Sequence, residues 1–229
     1  MTNHYLSSWL NQTSLGQYTQ THEARFFQQN LTGIYAPVIV QMTLPEWQIT
    51  TNQNVIKMEH DVMMQPEALA WANESIHVLL MPHLLEYCTE PTLVLHEAWR
   101  VLQPEGKLIL TSFNPYSLWG YTGVLDGQIL PKRENCWSVL QLKHQLTKMG
   151  WTIGQKKFMV YLPWIPLAHL ENWHFIEAVG KRWWTYAAAI YGLVLYKRQA
   201  GIRPLTEWQS EPIGTEALVL GAAKETYTP

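Results

Sequence analysis

Runs of consecutive apolar residues constrain the fold of this chain most strongly. Val38-Ile39-Val40 is a β-branched run, and Pro45 ends the segment that contains it. A strand exposed on one face alternates apolar and polar residues, whereas an unbroken apolar run is typical of a strand buried on both faces. Residues 53–60 and 75–81 are predicted as two further strands, which end before Asp61 and Pro82.

Helical patterns lie between and after these strands. The predicted helices cover residues 15–31, 91–102, 136–149 and 170–182, and the later predicted strands cover 107–112, 158–162 and 187–196, with a turn at 103–106. Strands that alternate with helices predict an α/β fold. We expect a mainly parallel sheet with helices on both faces and an antiparallel edge made by the last two strands. One domain is expected over 1–200, and a polar, proline-rich peripheral tail over 201–229.

Composition narrows the classes of function. Hydrophobic residues make up 47% and charged residues 15% of the 229 residues, which is typical of a packed globular core. A net charge of −2 gives no general attraction to nucleic acid. Cys88 and Cys136 lack metal-ligand spacing, and a reducing, cytoplasmic location is expected. The longest apolar stretch, 183–196, is shorter than a transmembrane segment of about 20 residues, and the N-terminus lacks a signal-peptide pattern.

A series of short motifs follows the second predicted strand in a fixed order. Asp61 ends that strand, Ser75-Ile76-His77-Val78 opens the next one, and His83-Leu84-Leu85-Glu86 comes after it. The next predicted helix carries Leu95, Glu97, Arg100, Val101 and Leu102, before Gln103-Pro104-Glu105-Gly106. In this order and spacing the chain resembles the class I S-adenosylmethionine-dependent methyltransferase superfamily, in a bacterial branch similar to methyltransferase type 11. The resemblance implies a Rossmann-like fold and S-adenosyl-L-methionine as cofactor.

The resemblance also assigns roles to residues at the carboxyl ends of the strands, where open α/β sheets bind ligands. Asp61 is expected to accept a hydrogen bond from the adenine amino group, with the Val62 N–H on the ring; a carboxylate that caps a turn is the alternative. The expected cofactor-binding residues are Thr43, Asp61, Val62, Met81 and His83. The catalytic candidates are His83, Glu86 and Tyr87. His83 is either a general base or a residue that only holds the loop, and no metal site is expected.

Two departures from the family pattern affect cofactor binding. The first strand runs into Met42-Thr43-Leu44-Pro45-Glu46-Trp47, where the family has a glycine-rich loop that lets the backbone approach the cofactor. We expect these side chains to crowd the cofactor's amino-acid end. The segment between Trp47 and Val55 is too short for a full helix and strand. The second βα unit is therefore predicted to be shortened, and the acid that binds the ribose hydroxyls to be missing.

Two functions remain open from the sequence. The first is methyl transfer from S-adenosylmethionine to an unknown small or hydrophobic acceptor. The second is a degenerate methyltransferase-fold protein that binds no cofactor and acts as a partner or regulatory subunit. The Trp-rich region, with Trp164, Trp173, Trp183 and Trp184, is expected to pack on the sheet. The alternatives are an apolar lid for a hydrophobic substrate, a membrane-surface contact, and a homodimer or protein-partner contact. Asn114-Pro115-Tyr116 does not follow the strand that the amino-group methyltransferase motif follows, but its loop is a candidate wall of a substrate pocket.

Overall fold

The computed structural model describes residues 4–47, 49, 54–164, 180 and 182–198, which belong to a compact unit spanning Met1–Gln199. The helices are α1 (His4–Gln12), α2 (Ser14–Leu31), α3 (Pro91–Val101), α4 (Leu118–Tyr121) and α5 (Val139–Lys148). The strands are β1 (Ile39–Gln41), β2 (Val55–Lys57), β3 (Ile76–Pro82), β4 (Leu102–Phe113), β5 (Thr152–Met159) and β6 (Ile190–Tyr196). Nearly all of the predicted helix at 170–182, and the whole predicted tail at 201–229, lie outside the described residues.

All six described strands form one sheet in the order β2-β1-β3-β4-β6-β5. β1 pairs in parallel with β2 and β3, and β3 pairs in parallel with β4. β6 runs antiparallel to both β4 and β5. This arrangement confirms the predicted α/β class, a mainly parallel sheet with an antiparallel edge.

The shortened second βα unit is visible in the pairing of β1 with β2. Ile39 lies opposite Val55, so β1 and β2, which are consecutive in sequence, are also direct neighbours in the sheet. The described residues between them form neither helix nor strand. Each of these strands has only three residues, so the hydrogen-bonded ladder is short on this side of the sheet.

Helices cover the two faces of the sheet with separate apolar cores. On one face, α1 and α2 contribute Leu6, Leu10, Phe26 and Phe27 to a core shared with β-strand residues such as Leu80 and Ile109. On the other face, α3 and α5 contribute Leu95, Ala98, Leu142 and Leu146, which pack with residues such as Leu79 and Leu110. Alternate residues of β3 and β4 thus face opposite cores, as expected for strands buried on both sides.

One glycine sets the distance between α2 and the sheet. A Cβ atom at Gly192, in β6, would lie 2.5 Å from the Phe26 ring. Real Cβ contacts are essentially never that close, so glycine here allows the helix to approach the strand.

Two sequence-based boundaries were wrong. The turn predicted at 103–106 lies inside β4: Ile76 pairs with Leu102 and Val78 with Lys107, so β4 carries three extra residues as an irregularity between these pairs. Within this irregularity Glu105 has a left-handed backbone, with φ +61°, and its N–H donates a hydrogen bond to the Lys197 carbonyl at 2.8 Å. The strand predicted at 158–162 overlaps only the last two residues of β5, which covers Thr152–Met159.

Candidate active-site edge of the sheet

The carboxyl ends of β1, β2 and β3 meet at one edge of the sheet. Gln41 lies opposite both Lys57 and Leu80, so the residues that follow these strands are neighbours. The predicted cofactor-binding residues lie within five residues after these strands or, for Met81, near the end of one. They therefore lie on the same edge of the sheet, where open α/β sheets bind ligands.

The loop after β1 is held by its own polar groups. The Gln41 side-chain amide donates to the carbonyls of Thr43 and Leu44, at 3.0 and 2.6 Å. The Thr43 hydroxyl donates to the carbonyl of Pro82, at the end of β3. Thr43 is thus buried and links two of the strand ends, a role different from an open side-chain contact to a ligand.

Leu44 has a backbone conformation that is rare for a residue with a side chain. Its φ is +52°, the left-handed region that normally favours glycine. The Leu44 side chain is 2% exposed, and together with the buried Trp47 it belongs to the core that includes α1 and α2. The loop therefore keeps a glycine-like backbone conformation while its apolar side chains lie in the protein interior.

Two further strand ends carry the same strain. Glu59 follows β2 with φ +65°, and His83 follows β3 with φ +49°. Left-handed conformations cost non-glycine residues about 1–2 kcal/mol each and cluster at functional sites. With Leu44, they place strained backbone at the end of each of the three neighbouring strands.

Asp61 lies at the surface of this edge. One carboxylate oxygen accepts the Lys57 N–H at 2.7 Å, and the other lies 2.7 Å from His60 Nδ1. The backbone hydrogen bond from Lys57, followed by that from His60, holds the pKa of Asp61 below its ordinary value. Its side chain is 43% exposed, and each carboxylate oxygen retains acceptor capacity. Asp61 therefore caps a turn and can also accept a donor from a ligand.

His83 lies in a fully buried cluster rather than in an open site. Its Nδ1 is 2.9 Å from Glu86 Oε1, and its Nε2 is 2.9 Å from Glu23 Oε1 on α2. All three side chains have no exposed surface or almost none. Glu86 Oε1 also accepts the Phe113 N–H at 2.9 Å. The cluster ties α2 to the ends of β3 and β4.

Electrostatics fixes the protonation of His83. Burial by itself lowers the pKa of His83, but attraction to Glu23 and hydrogen bonds to both carboxyl groups raise it to about 10. At neutral pH the ring is therefore an imidazolium whose two N–H groups are both used. It has no lone pair for a proton, which favours the loop-holding alternative over a general base.

The other predicted residues have different surroundings. Met81 is fully buried in the core on the face of α3, whereas Val62 is 37% exposed. Tyr87 is half-buried beside the core that contains α2. Glu97 and Arg100 form an ion pair at 2.7 Å, as their spacing predicts.

Sequence reasoning missed Glu23, the third member of the buried cluster. Its signal is an acidic residue on the apolar face of α2, four residues before Phe27 and four after the buried Thr19. Charged residues are almost never fully buried unless they are paired. An acid in this position therefore indicates a partner elsewhere in the fold.

Asn114 organises the second half of the carboxyl edge. Its side-chain amide donates to the carbonyls of Tyr186 and Ala188, at 2.8 and 2.9 Å, and its oxygen accepts the Tyr116 N–H at 3.1 Å. The loop that the sequence marked as a candidate pocket wall is thereby fixed to the segment before β6. A cavity lies beside it.

The tryptophans of the Trp-rich region divide into two groups, and Trp173 lies outside the described residues. Trp164 stacks on Trp9 with ring centroids 5.2 Å apart and meets the Trp119 ring edge-on. Trp183 and Trp184 are 73% and 61% exposed. The expected packing on the sheet is therefore wrong for these two, whose side chains are mostly exposed.

No group of three or more metal-ligating side chains is present among the described residues. Within the same part of the chain, the helices are too short or too polar to span a membrane. Burial raises the pKa of the Cys88 thiol to about 12, which argues against a reactive thiolate at the end of β3.

Comparison with known proteins identifies the fold family. Residues 31–110 match a model of the family described as methyltransferase domain, and this segment contains β1, β2, β3, α3 and most of β4. The match covers 80 of the 229 residues, and the likeness that it supports is to the methyltransferase fold. It includes the strand ends at which Asp61 and His83 lie.

Solved structures of this methyltransferase fold are similar across most of the chain. An S-adenosylmethionine-dependent methyltransferase from Archaeoglobus fulgidus has a TM-score of 0.58 and 10% identity, over 85% of this chain and 100% of that one. A structure of a Haloferax volcanii methyltransferase in complex with the Trm112 methyltransferase activator has a TM-score of 0.57 and 13% identity, over 85% and 98%. The [4+2]-cyclase SpnF has a TM-score of 0.54 and 11% identity, over 82% and 84%. At these identities the likeness concerns the fold.

A sequence relative covers a smaller part. Uncharacterized protein YafS of Escherichia coli (strain K12) is 28% identical over 109 residues, which are 47% of this chain and 45% of YafS. The alignment thus spans less than half the length of that relative.

Proposed function

We propose that this protein transfers a methyl group from S-adenosylmethionine to a small or hydrophobic acceptor in the cytoplasm. The observation that carries the proposal is the meeting of three strand ends at one edge, each with a left-handed non-glycine residue: Leu44, Glu59 and His83. Strain of this kind persists where the surrounding structure imposes it, and it is frequent at ligand sites.

The residues at this edge fit the adenine end of the cofactor best. Asp61 is exposed and retains acceptor capacity for the adenine amino group, with Val62 next to it. Thr43, Met81 and His83 have buried side chains, so their contribution is through the backbone at the ends of β1 and β3. The methionine end fits through the backbone of Leu44, whose left-handed φ resembles that of a glycine.

The chemistry asks little of this chain's acid–base groups. When bound, S-adenosylmethionine would supply an activated methyl group to the acceptor's nucleophilic atom, with its sulfonium sulfur as the leaving group. Proximity and alignment supply much of the rate of such a step. His83 holds the edge together as an imidazolium, and Glu86 fixes the start of the loop after β4 through the Phe113 N–H.

A second function is favoured by the burial of Leu44 and Trp47. Both side chains lie in the core at the end of β1, where the superfamily has a glycine-rich loop. A protein without cofactor would then act as the partner subunit of another protein, with Trp183 and Trp184 as exposed contact residues. The similar Haloferax volcanii methyltransferase, which was solved with an activator protein, shows that this fold occurs in such complexes.

Isothermal titration calorimetry with S-adenosylmethionine and S-adenosylhomocysteine separates the two functions. The enzyme predicts micromolar binding that weakens at least about tenfold in Asp61→Ala, because the adenine amino group loses its acceptor. Asp126→Ala, which removes an exposed aspartate beyond β4, is the matched control and keeps full affinity.

Asp61→Asn distinguishes a ligand contact from the turn cap, because the amide oxygen can still accept the Lys57 N–H. Thermal unfolding of each variant shows whether the edge remains folded. Absence of binding to the unaltered protein up to millimolar cofactor contradicts the enzyme and supports the partner subunit.

A further inference from the structure

A second site lies at the carboxyl ends of β4 and β5, on the side of the sheet covered by α5. A cavity of about 410 Å³ opens there between the Asn114 loop, the start of α5 and the end of β5. β4 and β5 both run antiparallel to β6, so their carboxyl ends share the edge at which Asp61 and His83 lie. The volume is within the range of small-molecule sites.

The walls of this cavity are aromatic and fixed in place. The Phe158 and Tyr186 rings pack edge to face, with centroids 5.3 Å apart. Tyr116 and Leu140 complete the apolar lining. Asn114 bonds to the backbone of both Tyr116 and Tyr186, so the two sides of the cavity are held at a set distance without a ligand.

One positive charge faces this apolar space. Lys156 Nζ lies 5.6 Å from the centroid of the Phe158 ring and 5.4 Å from that of Tyr186. No acidic residue is among the residues that line the cavity, and Lys156 forms no ion pair with a described residue. The N-terminus of α5, capped by Ser138, adds the positive end of a helix dipole to the same wall.

We propose that this cavity is the acceptor site and that it takes an aromatic carboxylate. The ring of such a ligand packs against Phe158 and Tyr186, and its carboxylate pairs with Lys156. The acceptor role rests on the proposed methyl transfer, but binding of the carboxylate does not, because none of these residues belongs to the cofactor edge.

The test is binding of phenylacetate, measured by calorimetry on the full chain without cofactor. Phenylacetamide, which has the same ring and no charge, is the neutral probe. We expect phenylacetate to bind at least about tenfold more tightly than the amide. In Lys156→Gln the affinity for phenylacetate should fall about tenfold to that of the amide, whereas the amide's own affinity stays unchanged.

Two controls keep the site and the proposed function apart. Lys143→Gln removes an exposed lysine from α5 outside the cavity and should change neither affinity. Asp61→Ala should weaken cofactor binding at least about tenfold and leave phenylacetate binding intact.

A further variant tests the role of charge. Leu140→Asp adds a negative charge to the exposed rim of the cavity and should weaken the binding of phenylacetate more than that of the amide.

Several results would overturn the proposal. They are equal affinities for phenylacetate and phenylacetamide, unchanged phenylacetate binding in Lys156→Gln, or no binding of either probe at 10 mM, roughly the weak limit for a specific small ligand. If the unaltered protein binds phenylacetate but not the cofactor, that result would count against the proposed function alone.

Discussion

The two halves of the sheet are held together in different ways. β4, β5 and β6 have twelve, eight and seven residues, and β4 pairs with β6 over seven consecutive positions. β1 and β2 have three residues each, and the loop after β1 depends on side chains such as Gln41 and Thr43. The half that we assign to the cofactor thus has the shortest ladders, and its loop after β1 depends on buried side-chain hydrogen bonds.

This difference shows what the shortened second βα unit has changed. Regular backbone pairing supports the second half, where the cavity lies. The first half instead relies on a buried ionic cluster and on strained strand ends. Buried ion pairs are costly to break from one side, because the remaining charge has no compensation. The first half should therefore be the more sensitive to single substitutions of polar residues.

The largest effect is expected for His83→Ala. This substitution leaves the carboxyl groups of Glu23 and Glu86 buried together without the imidazolium, and it should lower the free energy of unfolding by about 3–5 kcal/mol. Urea denaturation followed by tryptophan fluorescence measures the change. His144→Ala, an exposed histidine on α5 in the second half, should cost less than about 0.5 kcal/mol. Equal costs for the two variants would remove the contrast between the halves.

A smaller effect is expected from pH. The folded pKa of His83, about 10, lies above the ordinary value of 6.5, so its contribution to stability is complete below pH 6.5 and is lost as the pH rises through 10. The unfolding free energy of the protein should therefore fall across this window by a few kcal/mol, at about 1.4 kcal/mol per pKa unit.

The His83→Ala variant is the control for this pH effect, because the other titratable groups contribute to the pH dependence of both proteins. The difference in stability between the protein and His83→Ala should shrink from pH 6.5 to pH 10. A difference that stays constant or grows over this window would show that His83 is not held as an imidazolium.

The smallest effect compares glycine with alanine at position 44. Both variants lose the buried leucine side chain, but only alanine retains a Cβ atom in the left-handed conformation. Leu44→Gly should therefore be more stable than Leu44→Ala by about 1 kcal/mol. At Leu142, buried in α5, the order reverses, and alanine is favoured by about 1 kcal/mol because glycine weakens a helix. Chemical denaturation of the four variants checks both signs, and the same order at both positions would argue against strain at Leu44.

Much of the fold could be predicted because local patterns and tertiary burial agree. Ile39-Val40 and residues 78–81 are apolar runs that the structure buries on both faces, and Pro91 begins α3 as its sequence position indicates. The turn expected at 103–106 does not separate two elements, because Glu105 in that segment is hydrogen-bonded to Lys197, which is distant in sequence. α1 carries no strong local helix signal and packs mainly through Trp9, Leu6 and Leu10 onto other elements.

The site could be predicted only in part. Asp61 and His83 follow β2 and β3, as the sequence predicted. The order of the short sequence motifs indicates which strand each residue follows. Glu23 acts through its contact with His83, which lies 60 residues away in sequence. Lys156 lies over the rings of Phe158 and Tyr186, which belong to two different segments. Such contacts have no local sequence signature.

The most direct test of the central claim is a crystal structure of the protein with S-adenosylhomocysteine. The account predicts density for the adenine ring beside the Asp61 carboxylate, with the rest of the ligand along the ends of β1 and β3 and the Leu44 side chain still in the core. A structure grown with saturating ligand would contradict the account if it showed no ligand density at that edge, or if the nucleoside bound elsewhere.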